Sequence, residues 1–283
     1  MEFISELKKA APEGDTLVTI GVFDGVHRGH QHLIKRLVAS AKERGYSSGV
    51  ITFHPNPVTV VRPGTKVAYL TDIEERIELI KALSVDFVAP VTFTPELSQL
   101  TAREFVSLLM EHLHLRGLVV GDDFALGRGR EGTIQVLTGL GQDMGFTVDV
   151  VAQHDIEGQR VTSSAIRAAL AEGDIATVSA FLGHPYTIKG VVVPGAERGR
   201  VLGFPTANLS VWEEKGIPGD GIYATKIHVN SSFCNSATYV GTRLRVTCTA
   251  MRSSWNGWNG FEGICASIPT KRCASRWSGT LSR

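Results

Sequence analysis

Three things are scarce in this 283-residue sequence: long apolar runs, net charge and cysteine. No stretch of about 18 apolar residues occurs, so no membrane-spanning helix is predicted. The N-terminus also lacks the basic segment and apolar run of a signal peptide, and we expect a cytoplasmic protein. The formal charge of +1 argues against a surface built to bind a polyanion. Neither a nucleic-acid nor a membrane partner is therefore expected, and the oligomeric state is not predicted.

Cysteine is confined to the C-terminal end, where the composition changes. All four cysteines follow residue 230 without a C-x-x-C pair or accompanying histidine spacing, so a zinc site is not expected. Three of the four tryptophans follow residue 250. From residue 243 onward there are seven Lys or Arg residues and one acid, Glu262, whereas 22 basic and 27 acidic residues come before. The chain is therefore a mildly acidic body followed by a basic tail of different composition.

A stretch near the N-terminus has the features of a phosphate-binding site. Apolar residues at 17–20 predict a buried strand, and after a glycine-containing turn the apolar spacing predicts a helix over 31–44. His27 and His30 stand where this helix begins, and each can donate a hydrogen bond to a phosphate oxygen. A helix N-terminus binds phosphate through its unpaired N–H groups and the positive end of its dipole. Glycines 25 and 29 would let the ligand approach the backbone closely.

Strands and helices alternate through the next hundred residues. This alternation is typical of an α/β domain with a parallel sheet, whose ligands lie at the carboxyl ends of the strands. Asp24, Phe53 and Asp123 fall at such ends. Thr101 and Glu104 form a predicted capping box at the start of one helix. The predicted elements are strands at 49–53 and 85–91, a strand within 118–127 that runs into a glycine-bounded loop, and helices over 70–85 and 101–113.

A second motif, Ser163-Ser164-x-x-Arg167, opens another predicted helix. Either Thr162 or Ser163 can act as its N-cap. Arg167 then lies near the helix start, where the dipole disfavours a cation by about 0.3–1 kcal/mol. An anion nearby would offset this cost, so the motif predicts an anion-binding role.

The pattern changes after residue 184. Strands replace helices, and a glycine-rich segment ends in G-F-P-T-A-N at residues 203–208. The strands predicted from the sequence run over 186–193, around 206–209, over 221–228 and over 237–241. A second domain built of strands is therefore predicted from residue 185 onward.

Three of these motifs together resemble the bacterial bifunctional riboflavin kinase/FMN adenylyltransferase family. H-x-G-H alone is shared by nucleotidylyltransferases and class I aminoacyl-tRNA synthetases. The fuller string G-V-F-D-G-V-H-R-G-H at 21–30 and R-G-x-x-L-G-F-P-T-A-N at 198–208 are more specific. The resemblance covers about residues 15–242. It implies a Rossmann-like nucleotidylyltransferase domain with a parallel sheet over 1–184, a partial, antiparallel riboflavin kinase β-barrel over 185–242 and an atypical tail over 243–283.

The resemblance also implies roles for particular residues. In the first domain it assigns His27, His30, Ser163, Ser164 and Arg167 to catalysis, on the triphosphate and the leaving pyrophosphate. In the second domain it assigns Mg²⁺ to Thr206 and Asn208. A hydroxyl and an amide oxygen suit that hard ion, and Gly203 allows a close approach of phosphate. The residues implied to bind ATP or FMN are Gly21, Phe23, Asp24, Gly25, Gly29, Phe53, Asp123 and Phe124.

The sequence departs from the family at a few positions. Asn56 stands where histidine is commoner, and Leu126 where an aromatic is common, which would weaken flavin binding modestly. After Thr242 the family pattern stops, and the barrel strand that carries its glutamate base is missing. We therefore expect an incomplete barrel and impaired riboflavin phosphorylation. The tail is interpreted either as a frame-shifted, disordered end or as a divergent extension with its own partner.

The function implied is FAD biosynthesis, in which AMP passes from ATP to FMN and pyrophosphate leaves. Mg²⁺ is the implied cofactor, and ATP, FMN and riboflavin are the implied substrates. Two alternatives stay open. One is a non-catalytic flavin or nucleotide binder, and the other is an adenylyltransferase for a different phosphorylated cofactor precursor.

Overall fold

The computed structural model describes residues 2–152, 155–156, 158–194, 206–229, 232–241, 245–250 and 264–268. The chain forms two compact units. The first unit comprises residues 1–67 and 72–161, and the second comprises residues 68–71 and 162–283. The predicted domain boundary at residue 184 stays a prediction.

The first unit is built on a five-stranded sheet in which every pairing is parallel, as the alternation of elements predicted. The strand order is β3-β2-β1-β4-β7, so the chain adds strands on one side of β1 and then on the other. Two short antiparallel pairs, β5–β6 and β8–β9, lie outside this sheet. The strands are β1 (Thr16–Gly21), β2 (Ser47–His54), β3 (Phe87–Thr92), β4 (Leu115–Gly121), β5 (Ala125–Leu126), β6 (Gly132–Thr133), β7 (Thr147–Val151), β8 (Asp155–Ile156) and β9 (Gln159–Arg160).

Helices cover both faces of the parallel sheet. One core joins Val18 and Leu118 to α1 and α6, and the other joins Leu17 and Val119 to α2 and α4. Successive strand residues point to opposite faces, so strands buried on both sides read as unbroken apolar runs. The helices of this unit are α1 (Glu2–Ala10), α2 (Arg28–Arg44), α3 (Pro57–Val61), α4 (Ile73–Lys81), α5 (Pro95–Ser98), α6 (Ala102–Leu113) and α7 (Ile134–Met144).

The predicted elements of this unit are confirmed, with shifted ends. The capping box of Thr101 and Glu104 is present at the start of α6. Helix α2 begins at Arg28, three residues earlier than predicted, because His27 is its N-cap. The helix predicted over 70–85 is shorter, since Asp72 caps α4 and the helix ends at Lys81.

The described residues of the second unit form two helices and an antiparallel barrel. Six strands close in the order β10-β11-β14-β13-β12-β15, and β15 pairs with both β10 and β12. Leu209, Ile227 and Val246 form part of its buried core. The elements are α8 (Ser163–Glu172), α9 (Ile175–Leu182), β10 (Tyr186–Val193), β11 (Thr206–Val211), β12 (Gly221–Val229), β13 (Ser232–Gly241), β14 (Arg245–Ala250) and β15 (Ile264–Ile268).

The antiparallel barrel agrees with the sequence prediction, but its expected incompleteness is corrected. Four strands were predicted, whereas the tail after residue 242 supplies two more, β14 and β15. The alternation of buried apolar and polar side chains explains why β14 forms a strand. Val246 and Cys248 point into the barrel core, and Thr247 lies between them. A five-residue strand such as β15 is too short to show a convincing period by itself.

Within the described part of the chain, no helix has the length and apolar character needed to cross a membrane.

Candidate active site

The strand order places a crevice at the carboxyl end of β1. Strand β1 pairs with β2 on one side and β4 on the other, and the chain changes direction across the sheet at this point. In parallel sheets ligands bind where strand order reverses, beyond the carboxyl ends. The turn between Gly21 and the start of α2 occupies this position.

The backbone of this turn is strained. Phe23 and Val26 have φ angles of +53° and +38°, and Gly25 has a φ of +80°. Only glycine adopts such angles at little cost, and for a β-branched residue such as Val26 they are unusual. Strain of this kind persists where the surrounding structure holds it, and it concentrates at functional sites.

His27 links the turn to the helix. Its Nδ1 accepts a hydrogen bond from the backbone N–H of His30 at 3.3 Å, which caps α2. A neutral His27 therefore carries its ring proton on Nε2. Gly29 lies close beside it, and a Cβ at that position would lie 3.2 Å from the His27 ring atoms Cε1 and Nδ1, so the ring would have to shift by a few tenths of an ångström.

His30 stacks on His27. Their ring centroids are 3.5 Å apart, with 16° between the planes, and Phe23 meets His30 edge-on at 5.0 Å. The buried Nδ1 of His30 has no hydrogen-bond partner among the described residues. Burial lowers the pKa of His30 well below 6.5, and the nearby His27 and Arg76 lower it further. His30 is therefore neutral at neutral pH.

Asp24, predicted to bind nucleotide or flavin, is almost fully buried at 1% exposure. Its Oδ1 lies 3.8 Å from Nη2 of Arg76, a fully buried residue of α4. Sequence reasoning did not single out Arg76. A usable signal was present, because Arg76 and Ile80 are four residues apart and therefore lie on the same helix face.

The end of β2 carries the second predicted group. Phe53 packs edge-to-face on Phe93 at 5.2 Å and is partly buried against the core. Asn56 accepts a hydrogen bond from the backbone N–H of Val58 at 3.1 Å and so caps α3. The side chain of Asn56 therefore caps a helix, at the position where the family resemblance led us to expect histidine.

The loop after β4 carries the third group. Asp123 is exposed, and its carboxylate accepts a hydrogen bond from Nη2 of Arg160 at 2.5 Å. Arg130 donates to its backbone carbonyl at 3.0 Å. Phe124 and Leu126 are both partly buried against the core of the first unit.

The S-S-x-x-R motif lies in the second unit. Thr162 is the N-cap of α8, and its hydroxyl accepts a hydrogen bond from the backbone N–H of Ala165. Ser163 and Ser164 are the first two residues of the helix. Arg167 lies one turn further, and its Nε donates to the carbonyl of Ala68 at 2.8 Å. Among the predicted catalytic residues, the structure thus brings His27 and His30 together in the first unit.

The predicted magnesium ligands lie on β11 of the barrel. Thr206 and Asn208 alternate with the buried Ala207, and Oδ1 of Asn208 accepts a hydrogen bond from the Thr247 hydroxyl at 3.0 Å. Gly203 and Glu262 lie outside the described residues. No group of three or more His, Cys, Asp or Glu side chains among the described residues is placed to hold a metal ion. The assigned roles of all these residues stay predictions.

Comparison with known proteins agrees with this organisation. Residues 9–165 match the FAD synthetase family and residues 182–254 match the riboflavin kinase family. The chain is 38% identical over 218 residues to the bifunctional riboflavin kinase/FMN adenylyltransferase of Escherichia coli (strain K12), covering 77% of this chain and 69% of that protein. The corresponding protein of Listeria monocytogenes is 39% identical over 215 residues, covering 76% of this chain and 68% of that protein.

A solved structure shares the fold. The crystal structure of a macrolide-efflux protein from Streptococcus pneumoniae superposes with a TM-score of 0.86 at 24% identity, covering 97% of this chain and 91% of that one. At that identity the likeness shows the fold alone. The family matches and the curated relatives carry the assignment: the chain belongs to the bifunctional riboflavin kinase/FMN adenylyltransferase family.

Proposed function

We propose that this protein makes FAD and pyrophosphate from FMN and ATP, with the stacked His27 and His30 at the reacting phosphates. The observation that carries the proposal is their position. Two stacked imidazoles lie at the N-terminus of a 17-residue helix, at the carboxyl end of the central strand of a parallel sheet. That combination of N–H donors and helix dipole suits a triphosphate.

The reaction needs no nucleophile from the protein. A phosphate oxygen of FMN attacks the α-phosphorus of ATP, and the bond from that phosphorus to the bridging oxygen of the β-phosphate breaks. The electron pair leaves with pyrophosphate. Catalysis then consists of positioning the two phosphates in line and stabilising the charge that develops between them.

Histidine N–H groups meet this requirement. The Nε2 proton of a neutral His27 can be donated to a phosphate oxygen, because its Nδ1 is already an acceptor. His30 stays neutral in its buried position and also carries one N–H. Ser163, Ser164 and Arg167 are assigned to the pyrophosphate, which a hydroxyl and a guanidinium at a helix start can bind.

The remaining predicted residues are assigned by their surroundings. Gly21 and Gly29 allow close packing in the turn and Gly25 supplies its left-handed backbone, while Phe23 and Asp24 are buried and shape it. Phe53 and Phe124 offer partly buried aromatic faces to the flavin, and Asp123, next to Phe124 in sequence, is an exposed polar group.

Magnesium is assigned to the phosphates of ATP, and in the barrel to Thr206 and Asn208. A hydroxyl and a carboxamide oxygen fit this hard cation, and the phosphates would supply further oxygens. When bound, Mg²⁺ neutralises phosphate charge. The bond from Thr247 already occupies part of the accepting capacity of Asn208.

We infer that riboflavin phosphorylation is the weaker activity of this chain. The barrel strands exist, but the tail after residue 242 carries one acid, Glu262, outside the family's sequence context. Phosphoryl transfer from ATP to a ribityl hydroxyl gains about 10²–10⁴-fold from a positioned base. A barrel without that base would still bind ATP but would phosphorylate riboflavin slowly.

A direct assay tests the proposed function. Purified protein incubated with FMN, ATP and Mg²⁺ should release FAD and pyrophosphate in equal amounts. Replacing FMN with phosphopantetheine or nicotinamide mononucleotide tests the alternative adenylyltransferases. Equilibrium dialysis that shows FMN and ATP binding without any FAD would favour the non-catalytic binder.

A further inference from the structure

Arg76 is the largest fully buried side chain among the described residues, at 0% exposure. It belongs to α4, on the same face as Ile80, which packs in the core beneath β1 and β2. A guanidinium in such a place loses its hydration and needs several good partners to compensate. An apolar residue would suit this helix face better, so the arginine calls for a specific explanation.

Its partners lie at the ends of two neighbouring strands. Nη1 donates to the carbonyl of Phe53 at 3.0 Å and lies 3.4 Å from the Thr52 hydroxyl, both at the end of β2. Nη2 faces Asp24, in the strained turn after β1. One planar group therefore connects the end of β2 to the turn that leads into His27.

A second connection runs in parallel. The hydroxyl of Thr52 donates to the carbonyl of Val22 at 2.9 Å, one residue after β1 ends. Thr52 and Arg76 thus hold the turn at Val22 and at Asp24. The residues they fix flank Phe23, which has a left-handed backbone and contacts the His30 ring.

We propose that Arg76 is a positioning residue, which holds the turn after β1 against β2 so that His27 and His30 keep their stacked geometry. The inference rests on the proposed function for its catalytic consequence. Its structural content, that the guanidinium sets the histidine geometry, can be measured without any substrate.

The charge of Arg76 also acts on the histidines. Burial is the largest cause of the low pKa of His30, and the charges of His27 at the N-cap of α2 and of Arg76 on α4 lower that pKa further. Asp24 lies beside the guanidinium and carries the opposite charge. Removing the cation should therefore raise the pKa of His30. A residue that only filled space in the core would leave this pKa where it is.

Lysine cannot reproduce the arrangement. Its single ammonium can reach either Phe53 or Asp24, whereas the arginine fork reaches both. Arg76→Lys therefore keeps the charge and loses the double connection, while Arg76→Gln loses the charge. Arg76→Gln with Asp24→Asn removes both charges of this ion pair together.

The experiment measures three quantities on the full chain: the pKa of His30 by NMR, kcat and KM for ATP in FAD formation, and the melting temperature. The His30 resonance is assigned from its loss in His30→Gln. The matched control is Arg116→Gln with Asp15→Asn, an exposed ion pair of the same unit.

We expect Arg76→Gln to raise the His30 pKa and to lower kcat by roughly 10-fold or more, with KM for ATP changing less, as for misplaced catalytic groups. Arg76→Lys should keep the pKa nearly unchanged and still lower kcat. The double variant at 24 and 76 should melt near the wild type and remain slow. The control pair should change neither pKa nor kcat.

A melting temperature and kcat that recover together in the double variant would show that Arg76 only stabilises the fold, and the inference would be wrong. An unchanged His30 pKa in folded Arg76→Gln would overturn it as well. If Arg76→Gln does not fold, kcat and the melting temperature of Arg76→Lys and of the double variant decide whether Arg76 positions the histidines. Wild-type protein that makes no FAD would count against the proposed function, while the NMR comparison would still decide the role of Arg76.

Discussion

The imidazole rings of His27 and His30 stack with 3.5 Å between their centroids. Two protonated imidazoles at this distance would repel each other, so the stack disfavours protonation of both rings at once. A neutral ring still donates one N–H, which is what an uncharged stabiliser of phosphate needs. The stack and the buried position of His30 therefore act in the same direction.

His30→Ala should lower FAD synthesis by about 10²-fold or more, as the loss of one charge-stabilising donor does. Turnover of FMN and ATP, followed by FAD fluorescence after product separation, measures the effect. His114→Asn is the control, because His114 is an exposed histidine of the same unit in a left-handed conformation that asparagine tolerates. Equal rates of FAD synthesis in His30→Ala and wild type would show that His30 has no role in the reaction.

Gly29→Ala tests the close approach at the helix start. The added Cβ would lie 3.2 Å from the His27 ring, so the ring must shift by a few tenths of an ångström. We expect FAD synthesis to fall by roughly 3- to 10-fold through this displacement.

Gly139→Ala is the matched control for that substitution. Gly139 lies inside α7, and a Cβ there would meet nothing within 4 Å. It should raise the free energy of unfolding by about 0.5–1 kcal/mol and leave FAD synthesis unchanged. Identical effects of the two substitutions on activity would contradict the role given to Gly29.

The pH dependence of stability should report His30. Its folded-state pKa lies below the ordinary 6.5, so at pH values between the two the unfolded chain binds a proton that the folded protein does not. The contribution of the neutral, buried His30 to the free energy of unfolding is therefore fully present above about pH 6.5 and is lost as the pH falls toward the folded-state pKa. Denaturant unfolding should show wild type losing up to about 1.4 kcal/mol per pH unit more than His30→Gln below that pH. Parallel curves for both proteins would show that the pKa is not lowered.

The strength of local signals explains how much of the first unit could be predicted. The spacing of apolar residues, the helix-capping residues and the glycine-containing turns predicted β1, α2, β2 and α6. These signals depend only on residues close together in the sequence. The role of Arg76 could not be predicted, since its partners Asp24, Thr52 and Phe53 are distant in sequence. Only the fold brings a residue of α4 to the ends of β1 and β2.

Arg167→Ala should raise KM for ATP and lower kcat while leaving the protein folded. The side chain is partly exposed, and its Nε donates a hydrogen bond to the backbone carbonyl of Ala68. Steady-state kinetics and a thermal melt measure the two effects, with Arg116→Ala as a surface control. A large loss of melting temperature would make Arg167 a structural residue and would contradict its pyrophosphate role.

The last prediction concerns riboflavin. With riboflavin, ATP and Mg²⁺ the chain should form little FMN, at a rate about 10²–10⁴-fold below a kinase with a positioned base. Chromatography of the flavins measures FMN directly, and FAD formation from FMN in the same preparation shows that the protein is active. Robust FMN accumulation would mean that the tail supplies a working kinase site.

The barrel shows where sequence reasoning was weakest. The four strands predicted were those with clear alternation, whereas β15 is five residues long and finds its partners β10 and β12 far back along the chain. Pairing of that kind depends on register across long separations, which local composition does not encode.

Barrel closure by β15 also sets an order for folding during synthesis. All five strands of the parallel sheet have been synthesised once the chain reaches residue 151. Strand β10, in contrast, can pair with β15 only after synthesis has reached Ile268. At about 5–20 residues per second the ribosome needs several seconds to cover that interval. Nascent chains stalled before residue 264 should therefore carry a protease-resistant first unit and an open barrel, and the last strand made governs when the second unit becomes resistant.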